Sequence, residues 1–315
     1  MKIISQKQIR ELNISPAECV EWVKESFSLK KKAQLPAKIS LHPQGNDFFN
    51  TMPCLLPAPY NYFGVKEVHR IKGATPALGS DLLLYNSLTG ELLAMLDADW
   101  ITTMRTGAVA TLAIQTFRSS KASTYGFLGL GNTGRATMLC LLDSEPNVMH
   151  HVILLRYKDQ AESFIERFKE YNNVTFSICD DSKELVAQSD VIVSCITEAQ
   201  GLLCEDDNLY RGGCLVVPVH TRGFQNCDLC FDKVYADDTA HVCGFKYFKD
   251  FKQFAEIQDV IDGIAMGRES DTERILSYNI GLGLHDVVYA SKIYEKLKDY
   301  SNDIMLVRET EKFWI

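Results

Sequence analysis

The 315-residue sequence predicts an α/β protein in which a doubly wound parallel sheet is joined to a mixed α+β domain. From about residue 119 onward, apolar strands alternate with helical stretches, the unit from which parallel sheets are built. Before that point, short apolar runs are broken by Pro, Gly and Asn, as in antiparallel hairpins. The length suits one larger and one smaller core rather than three.

Each element follows from a local pattern. Residues 5–32 read as helical: Ser15-Pro16 is a start signal, and Val20, Trp22, Val23 and Phe27 fall near helical spacing. Lys38 to Asp97 reads as a mainly antiparallel sheet, with LLLYNSLTGELLAML as a hairpin turning at Thr89-Gly90. Thr102 and Thr103 are placed to cap a helix in which Met104, Ala108, Val109, Leu112, Ala113 and Phe117 recur every 3.6 residues, so Arg105 and Thr106 are expected in its first turn. After a polar link at Ser119 to Ser123, strands are expected at Thr124–Leu130, Val152–Tyr157, Val174–Cys179, Val191–Ile196 and Cys214–Val219. The stretch from Arg274 to the end reads as one long helix, with Leu282, Val287, Val288, Ile293, Tyr294 and Leu297 as its apolar stripe. Residues 1–118 with 282–315 are thus expected to form one domain and 119–281 the other.

Composition narrows the function. With 46% hydrophobic and 23% charged residues the chain is an ordinary globular sequence, and its net charge of -8 offers no field for a polyanion, so nucleic acid is not an expected partner. The N-terminus carries no apolar signal segment and no run of about 18 apolar residues occurs, which points to the cytoplasm and away from membranes. The ten cysteines are scattered through strands and helices (Cys140, Cys179, Cys195, Cys214), as reduced buried thiols are. Cys227 and Cys230 form a C-x-x-C without the second pair that zinc requires, so no metal site is expected. Asp180-Asp181 and Asp237-Asp238 read as turn and cap residues, His241 and His285 as structural or surface groups.

The strongest local signal is TYGFLGLGNTGRATMLCLL. Gly129, Gly131 and Gly134 spell G-x-G-x-x-G between an apolar strand and a helix, with Asn132 and Thr133 at the helix start. In a Rossmann-type unit the first glycine permits a tight turn, the second lets a pyrophosphate approach the backbone, and the third lets helix and strand pack closely. No acidic residue closes the next strand; VILLRYKDQ places Arg156, Tyr157 and Lys158 there, which favours NADP(H) over NAD(H). The alternative is that these cations are solvated and Asp159 serves the ribose.

Three further stretches, FFNTMPCLLP with FGVKEVHR, TGELLAMLDADWITTMRTGAVATLA and the closing YNIGLGLHDVVYA, together with the glycine fingerprint, resemble the ornithine cyclodeaminase/mu-crystallin family in order and spacing over nearly the whole chain. The resemblance implies a Rossmann domain, a mixed substrate domain built from the N-terminal part with the last helix, and a homodimer through the latter. It also implies an NAD(P)-dependent enzyme acting on a small amino acid or imine. Carried over by position, it puts Lys38, Lys66 and Arg105 on the substrate carboxylate, Met52 beside the substrate, and Thr106, Thr197 and Gly281 beside the cofactor. The bland alternative makes Lys38 and Lys66 exposed strand lysines and Arg105 a helix-packing ion pair.

The departures point to the reaction. Where the cyclodeaminases carry an aspartate, VVPVHTRGFQNCDL has His220, Thr221 and Arg222, and Asn50 stands where relatives have a glutamate. The family's aspartate engages the departing amino group, and without it no carboxylate is left there to hold a diamine's distal ammonium; with the Asn50 change, this argues against ornithine cyclisation. The expectation is therefore an oxidoreductase that transfers a hydride at Cα of an amino acid or its imine, with Lys66 or His220 handling the proton. Its rivals are ornithine cyclodeaminase, which recycles its NAD, and a non-catalytic NADPH-dependent ligand carrier. Arg222 either faces the pocket, favouring a neutral or anionic far end, or points outward or pairs with Asp228.

Overall fold

In the computed structural model, which describes residues 1–300 and 302–305, the chain lays down two sheets. The first opens with β1 (Lys2–Ile4), after which come the helices α1 (Gln6–Glu11) and α2 (Pro16–Leu29). Ser15 caps α2 by accepting the Glu18 N–H, with Pro16 at the first position, as the sequence predicts. The strands β2 (Ile39–Leu41), β3 (Phe48–Leu55), β4 (Tyr62–Arg70), β5 (Leu78–Asn86) and β6 (Leu92–Asp97) form the expected antiparallel meander. Its β5–β6 hairpin turns through Gly90 at φ 73°. β1 lies parallel to β6 as an unforeseen addition, and β15 (Asn302–Asp303) pairs with β1.

Register decides what this sheet shows to each side. Met52 pairs with Lys66 and Lys66 with Leu82, while Asn50 pairs with Val68 and Val68 with Ser80. Period-two alternation therefore puts Asn50, Met52, Lys66, Val68 and Arg70 on one face. The other face carries Ile39, Leu41, Phe49 and Met95, all exposed.

α3 (Asp99–Phe117) crosses from the first sheet to the second. It begins three residues before the expected caps: its N-cap is Ala98 without a side-chain bond, and Asp99 accepts hydrogen bonds from the backbone and hydroxyl of Ser80. Thr102, Arg105 and Thr106 therefore lie within the helix rather than at its start, and Thr102 faces inward, 9% exposed.

The second sheet is parallel throughout, in the order β13-β12-β14-β11-β10-β7-β8-β9. Its first half runs β7 (Thr124–Leu128), α4 (Asn132–Ser144), β8 (His150–Leu155), α5 (Gln160–Arg167), β9 (Val174–Cys179) and α6 (Ser182–Gln188). The chain then crosses back to β10 (Val191–Ser194) and β11 (Leu215–Pro218). The order reverses between β7 and β10, the switch point where doubly wound sheets hold ligands beyond their carboxyl ends.

Three strands here escape the sequence patterns: β12 (Lys233–Ala236), β13 (Phe254–Glu256) and β14 (Ile275–Tyr278). The short helix α7 (Cys227–Cys230) precedes β12, and α8 (Thr239–Val242) and α9 (Ile257–Ile261) lie between the three strands. β14 corrects the expectation of one helix from Arg274 onward. All four of its residues are buried inside a parallel sheet, and such a run has no alternation to distinguish it from a helix. The last helix, α10 (Gly283–Leu297), starts later, ends before β15, and packs against α2, α3 and the sheet face that carries Lys66. Residues 301 and 306–315, part of the segment assigned to the first domain, lie outside the described residues.

No helix among the described residues is long and apolar enough to cross a membrane. The ten cysteines are all free thiols, and among the described residues no group of three or more His, Cys, Asp or Glu side chains is arranged to hold a metal.

Candidate active site

At the switch point, the turn from β7 into α4 has the form a dinucleotide requires. Gly129 sits at φ +85°, and a Cβ there would lie 2.5 Å from the Cys195 backbone. A Cβ on Gly134 would lie 2.4 Å from the Gly129 carbonyl oxygen, whereas one on Gly131 would meet no atom within 4 Å. Tight turn, close packing and open approach thus fall on the three glycines in that order. The first turn of α4, with Asn132 and Thr133, has no side-chain cap and no acidic residue, so its N–H dipoles remain available to an anion. These residues fit a nicotinamide dinucleotide.

The edge of β8 is less simple. Arg156 donates from Nε to Asp180 at 2.8 Å and from a terminal nitrogen to Glu162, so its charge is already matched by two exposed carboxylates. Tyr157 is exposed, and Lys158, at φ +53°, holds its ammonium 5.3 Å from the Tyr157 ring.

α3 joins the cofactor turn to the first sheet. Gly107 packs so closely on α4 that a Cβ would lie 2.5 Å from the Ala136 carbonyl carbon. Two residues earlier, Arg105 is 6% exposed and donates from Nε to Asp286 Oδ1 at 3.0 Å. Among the described residues its terminal nitrogens have no hydrogen-bond partner. They lie against the left-handed turn at Gly281, where a Cβ would sit 2.1 Å from Nη1. That turn is held by Asp237, whose carboxylate accepts the Gly281 N–H at 2.5 Å and lies 3.3 Å from His241 Nδ1. The Thr106 hydroxyl is occupied by the Thr102 carbonyl at 2.6 Å.

Lys66 is wholly buried on β4. Its Nζ lies 2.8 Å from the same Asp286 Oδ1 and donates to Thr102 Oγ1 at 3.3 Å. One carboxylate oxygen therefore serves two buried cations, while Asp286 Oδ2 is buried without a hydrogen-bond partner. Burial, seconded by the Arg105 charge, pushes the Lys66 amine down to about 7 despite Asp286. Burial works to raise the Asp286 carboxyl, but Arg105 and Lys66 together hold it below its usual range. Lys38, half-buried, is lowered by burial, with Asp237 opposing and Arg105 adding to the effect. With Met52, His241 and Gly281 it lines an enclosed space of about 20 Å³, room for roughly one water.

Across from this cluster are the loops after β10 and β11. His220 Nδ1 accepts the Arg222 N–H at 3.1 Å, so its hydrogen is on Nε2, which lies 2.7 Å from Ser194 Oγ. Burial, then the Arg222 charge, pushes the ring down to about 4, leaving it neutral with both nitrogens engaged. Arg222 is exposed and donates to the Thr197 carbonyl at 2.8 Å. It does not pair with Asp228, which is buried and accepts from the Tyr278 hydroxyl. Asn50 Oδ1 is buried without a partner on the Lys66 face of the sheet. The structure thus gathers Lys38, Met52, Lys66, Arg105 and Gly281, and sets His220, Arg222 and Thr197 on the loops of the other sheet.

The ornithine cyclodeaminase/mu-crystallin family model matches residues 1–301. The chain belongs to this family. It is 26% identical to the delta(1)-pyrroline-2-carboxylate reductase of Colwellia psychrerythraea, over 95% of this chain and 100% of the relative. It is 27% identical to the alanine dehydrogenase of Archaeoglobus fulgidus, over 93% and 94%. The structure of the Thermococcus litoralis delta(1)-pyrroline-2-carboxylate reductase in complex with NADH and L-proline superposes with a TM-score of 0.85 at 21% identity, covering 96% of this chain and 100% of that one.

Within the family frame, three residues of the cluster escape a reading by motif: Asp286, Thr102 and Asp237. The family's closing G-x-x-x-x-D is present here as Gly281 to Asp286, so its aspartate was a usable signal for a buried partner of Lys66 and Arg105. Local pattern reads Thr102 as a cap and Asp237 as a turn residue, whereas in the fold both turn inward to this cluster; Asp238 and Asp181 do cap α8 and α6.

Proposed function

We propose that this chain reduces the imine of a small α-amino acid, or oxidises the amino acid in reverse, with the hydride passing between a nicotinamide cofactor and the substrate Cα. The observation that carries this is the buried cluster in which Lys66 and Arg105 share Asp286 Oδ1 while the terminal nitrogens of Arg105 stay unclaimed. Those nitrogens, with Lys38, receive the α-carboxylate as a charge-assisted pair, and Met52 covers the substrate. Asp286 holds the Nε edge of Arg105, so the fork is oriented before the substrate arrives. Gly129, Gly131, Asn132, Thr133 and Gly134, with Thr106, Thr197 and Gly281 nearby, would hold the nicotinamide cofactor, which would supply or accept the hydride.

Lys66 Nζ exchanges a proton with the substrate nitrogen, a task suited to an amine brought down to about 7. His220, neutral and held at both nitrogens, shapes the pocket and leaves the proton to Lys66. Cyclodeamination is disfavoured because neither His220 nor Asn50 offers a carboxylate to a far ammonium. The test follows reduced-cofactor absorbance and ammonia together. Oxidation of the reduced cofactor by delta(1)-pyrroline-2-carboxylate or by 2-oxo acids with amines supports the proposal. Ammonia release from ornithine without net redox change would replace it with the cyclodeaminase, and cofactor binding without any turnover with the ligand carrier.

For the cofactor we favour NADP(H), with NAD(H) as the alternative. The support is Arg156 and Lys158 at the β8 edge, where no acidic residue lies within the strand end. A 2′-phosphate would have to draw Arg156 from Asp180 and Glu162, two exposed pairs of small worth. Arg156→Asp is expected to weaken NADPH at least about 10-fold more than NADH, the scale of one charge-assisted hydrogen bond. Equal losses for both would remove Arg156 from cofactor choice.

We further propose a cytoplasmic homodimer divided into residues 1–118 with 282–315 and residues 119–281. The exposed apolar sheet face at Ile39, Leu41, Phe49 and Met95 supports the dimer, and sedimentation at the mass of one protomer would exclude it.

A further inference from the structure

We infer that the substrate carries a second carboxylate, received between Arg70 and Arg222; this rests on the imine-reductase reading above. Arg70 stands four residues beyond Lys66 on β4, so strand alternation returns it to the same face, about 13 Å along the strand. Its side chain leans toward the other sheet: a terminal nitrogen lies 3.4 Å from Glu198, on the loop that follows β10. Arg222 reaches the same loop from β11, donating to the Thr197 carbonyl next to Glu198. Two guanidinium groups, one from each sheet, therefore engage neighbouring residues of one loop, Arg70 the Glu198 side chain and Arg222 the Thr197 carbonyl.

The charges around this point leave an anion welcome. Arg222 has no carboxylate partner among the described residues. Glu198 is 67% exposed and touches Arg70 at long range, a pair worth little and readily exchanged for a substrate carboxylate. The other acid at this point, Asp47, is already engaged: one carboxylate oxygen accepts the Lys72 N–H, from the connection between β4 and β5, at 2.9 Å, and the other lies 3.4 Å from the Gln44 amide. Lys72 adds a further cation to a recess of about 600 Å³ that Arg70, Asp47 and Glu198 also line. Between this recess and the Lys66–Arg105 cluster the sheet shows Val68 and the amide of Asn50. Neither is a carboxylate that would repel an acidic far end, and neutral His220 adds no charge. A molecule with one carboxylate at Arg105 and another at Arg70 and Arg222 matches this pattern; one with a far ammonium meets cations at both ends.

The experiment compares matched imines formed from methylamine with 2-oxoglutarate or 2-oxopentanoate, and with oxaloacetate or 2-oxobutanoate, by oxidation of reduced cofactor in the full chain. For at least one pair the acidic member is expected to have a kcat/KM about 10-fold or more above its neutral partner. Arg70→Gln and Arg222→Gln should each lower that ratio about 10-fold, and Glu198→Gln should raise it. Ratios at or below one in both pairs, or ratios that no variant moves, overturn the second-carboxylate assignment while leaving the imine reductase standing. Failure of every imine, delta(1)-pyrroline-2-carboxylate included, removes both.

Discussion

Lys66→Met is expected to lower kcat/KM about 1000-fold or more while leaving a folded protein that still binds the cofactor. Removing a buried charge usually strands its partner, but here Asp286 Oδ1 also accepts from Arg105 at 3.0 Å, so its charge stays matched. Methionine fills nearly the space of the lysine stem beside Met52 and Leu82, its neighbours across β3 and β5. What disappears is the group that moves the proton. The pH dependence gives a second check, because the amine is brought down to about 7 by burial and the Arg105 charge. Reduction uses protonated Lys66 as the acid, so kcat/KM should be full below pH 7 and fall as pH rises through it. Oxidation uses the neutral amine as base and should rise through the same pH. Activity within 10-fold of the parent, with the limb near pH 7 intact, would take Lys66 out of the proton path.

The sequence carried the parallel sheet well where strands alternate with helices, because each apolar run from β7 to β11 is bounded by turn residues. It failed at β12 and β14, where four buried residues have no periodicity and one of them, Lys233, is a lysine that looks like surface. Lys233 is buried by its ion pairs with Glu269 and Glu273, partners no local pattern reveals. The start of α3 was misplaced for a similar reason: Asp99 spends its side chain on Ser80 of β5, so the helix begins without the cap that a local reading requires. Lys66 and Arg105 were legible through their motifs. Their common partner lies 181 residues from Arg105, and only the packing of α10 onto β4 brings it there. The second-strand cations were equally visible, but the carboxylates that hold Arg156 come from the end of β9 and from α5, which spacing alone does not align.

Removing that common partner should have the largest effect on stability. Asp286→Ala leaves Lys66 and Arg105 facing each other in a dry site with no carboxylate between them, and breaking a buried pair in this way costs about 3–5 kcal/mol. The two cations differ in how they can respond. Arg105 stays charged, whereas Lys66 sheds its proton once Asp286 no longer supports it, so its folded-state value falls further below that of the unfolded chain. The unfolded state then binds more protons than the folded one, and stability must rise with pH between those two values. The variant is therefore expected to be weakest near pH 6 and to recover part of its loss near pH 9. Adding Lys66→Met to Asp286→Ala removes the group that must give up its proton on folding, so the double variant should be more stable than Asp286→Ala alone at pH 6, although neither turns over substrate. Urea unfolding of the three proteins at both pH values measures this directly. If Asp286→Ala unfolds like the parent at pH 6, or if Lys66→Met makes it worse there, Asp286 is not the charge that holds Lys66 and Arg105 together.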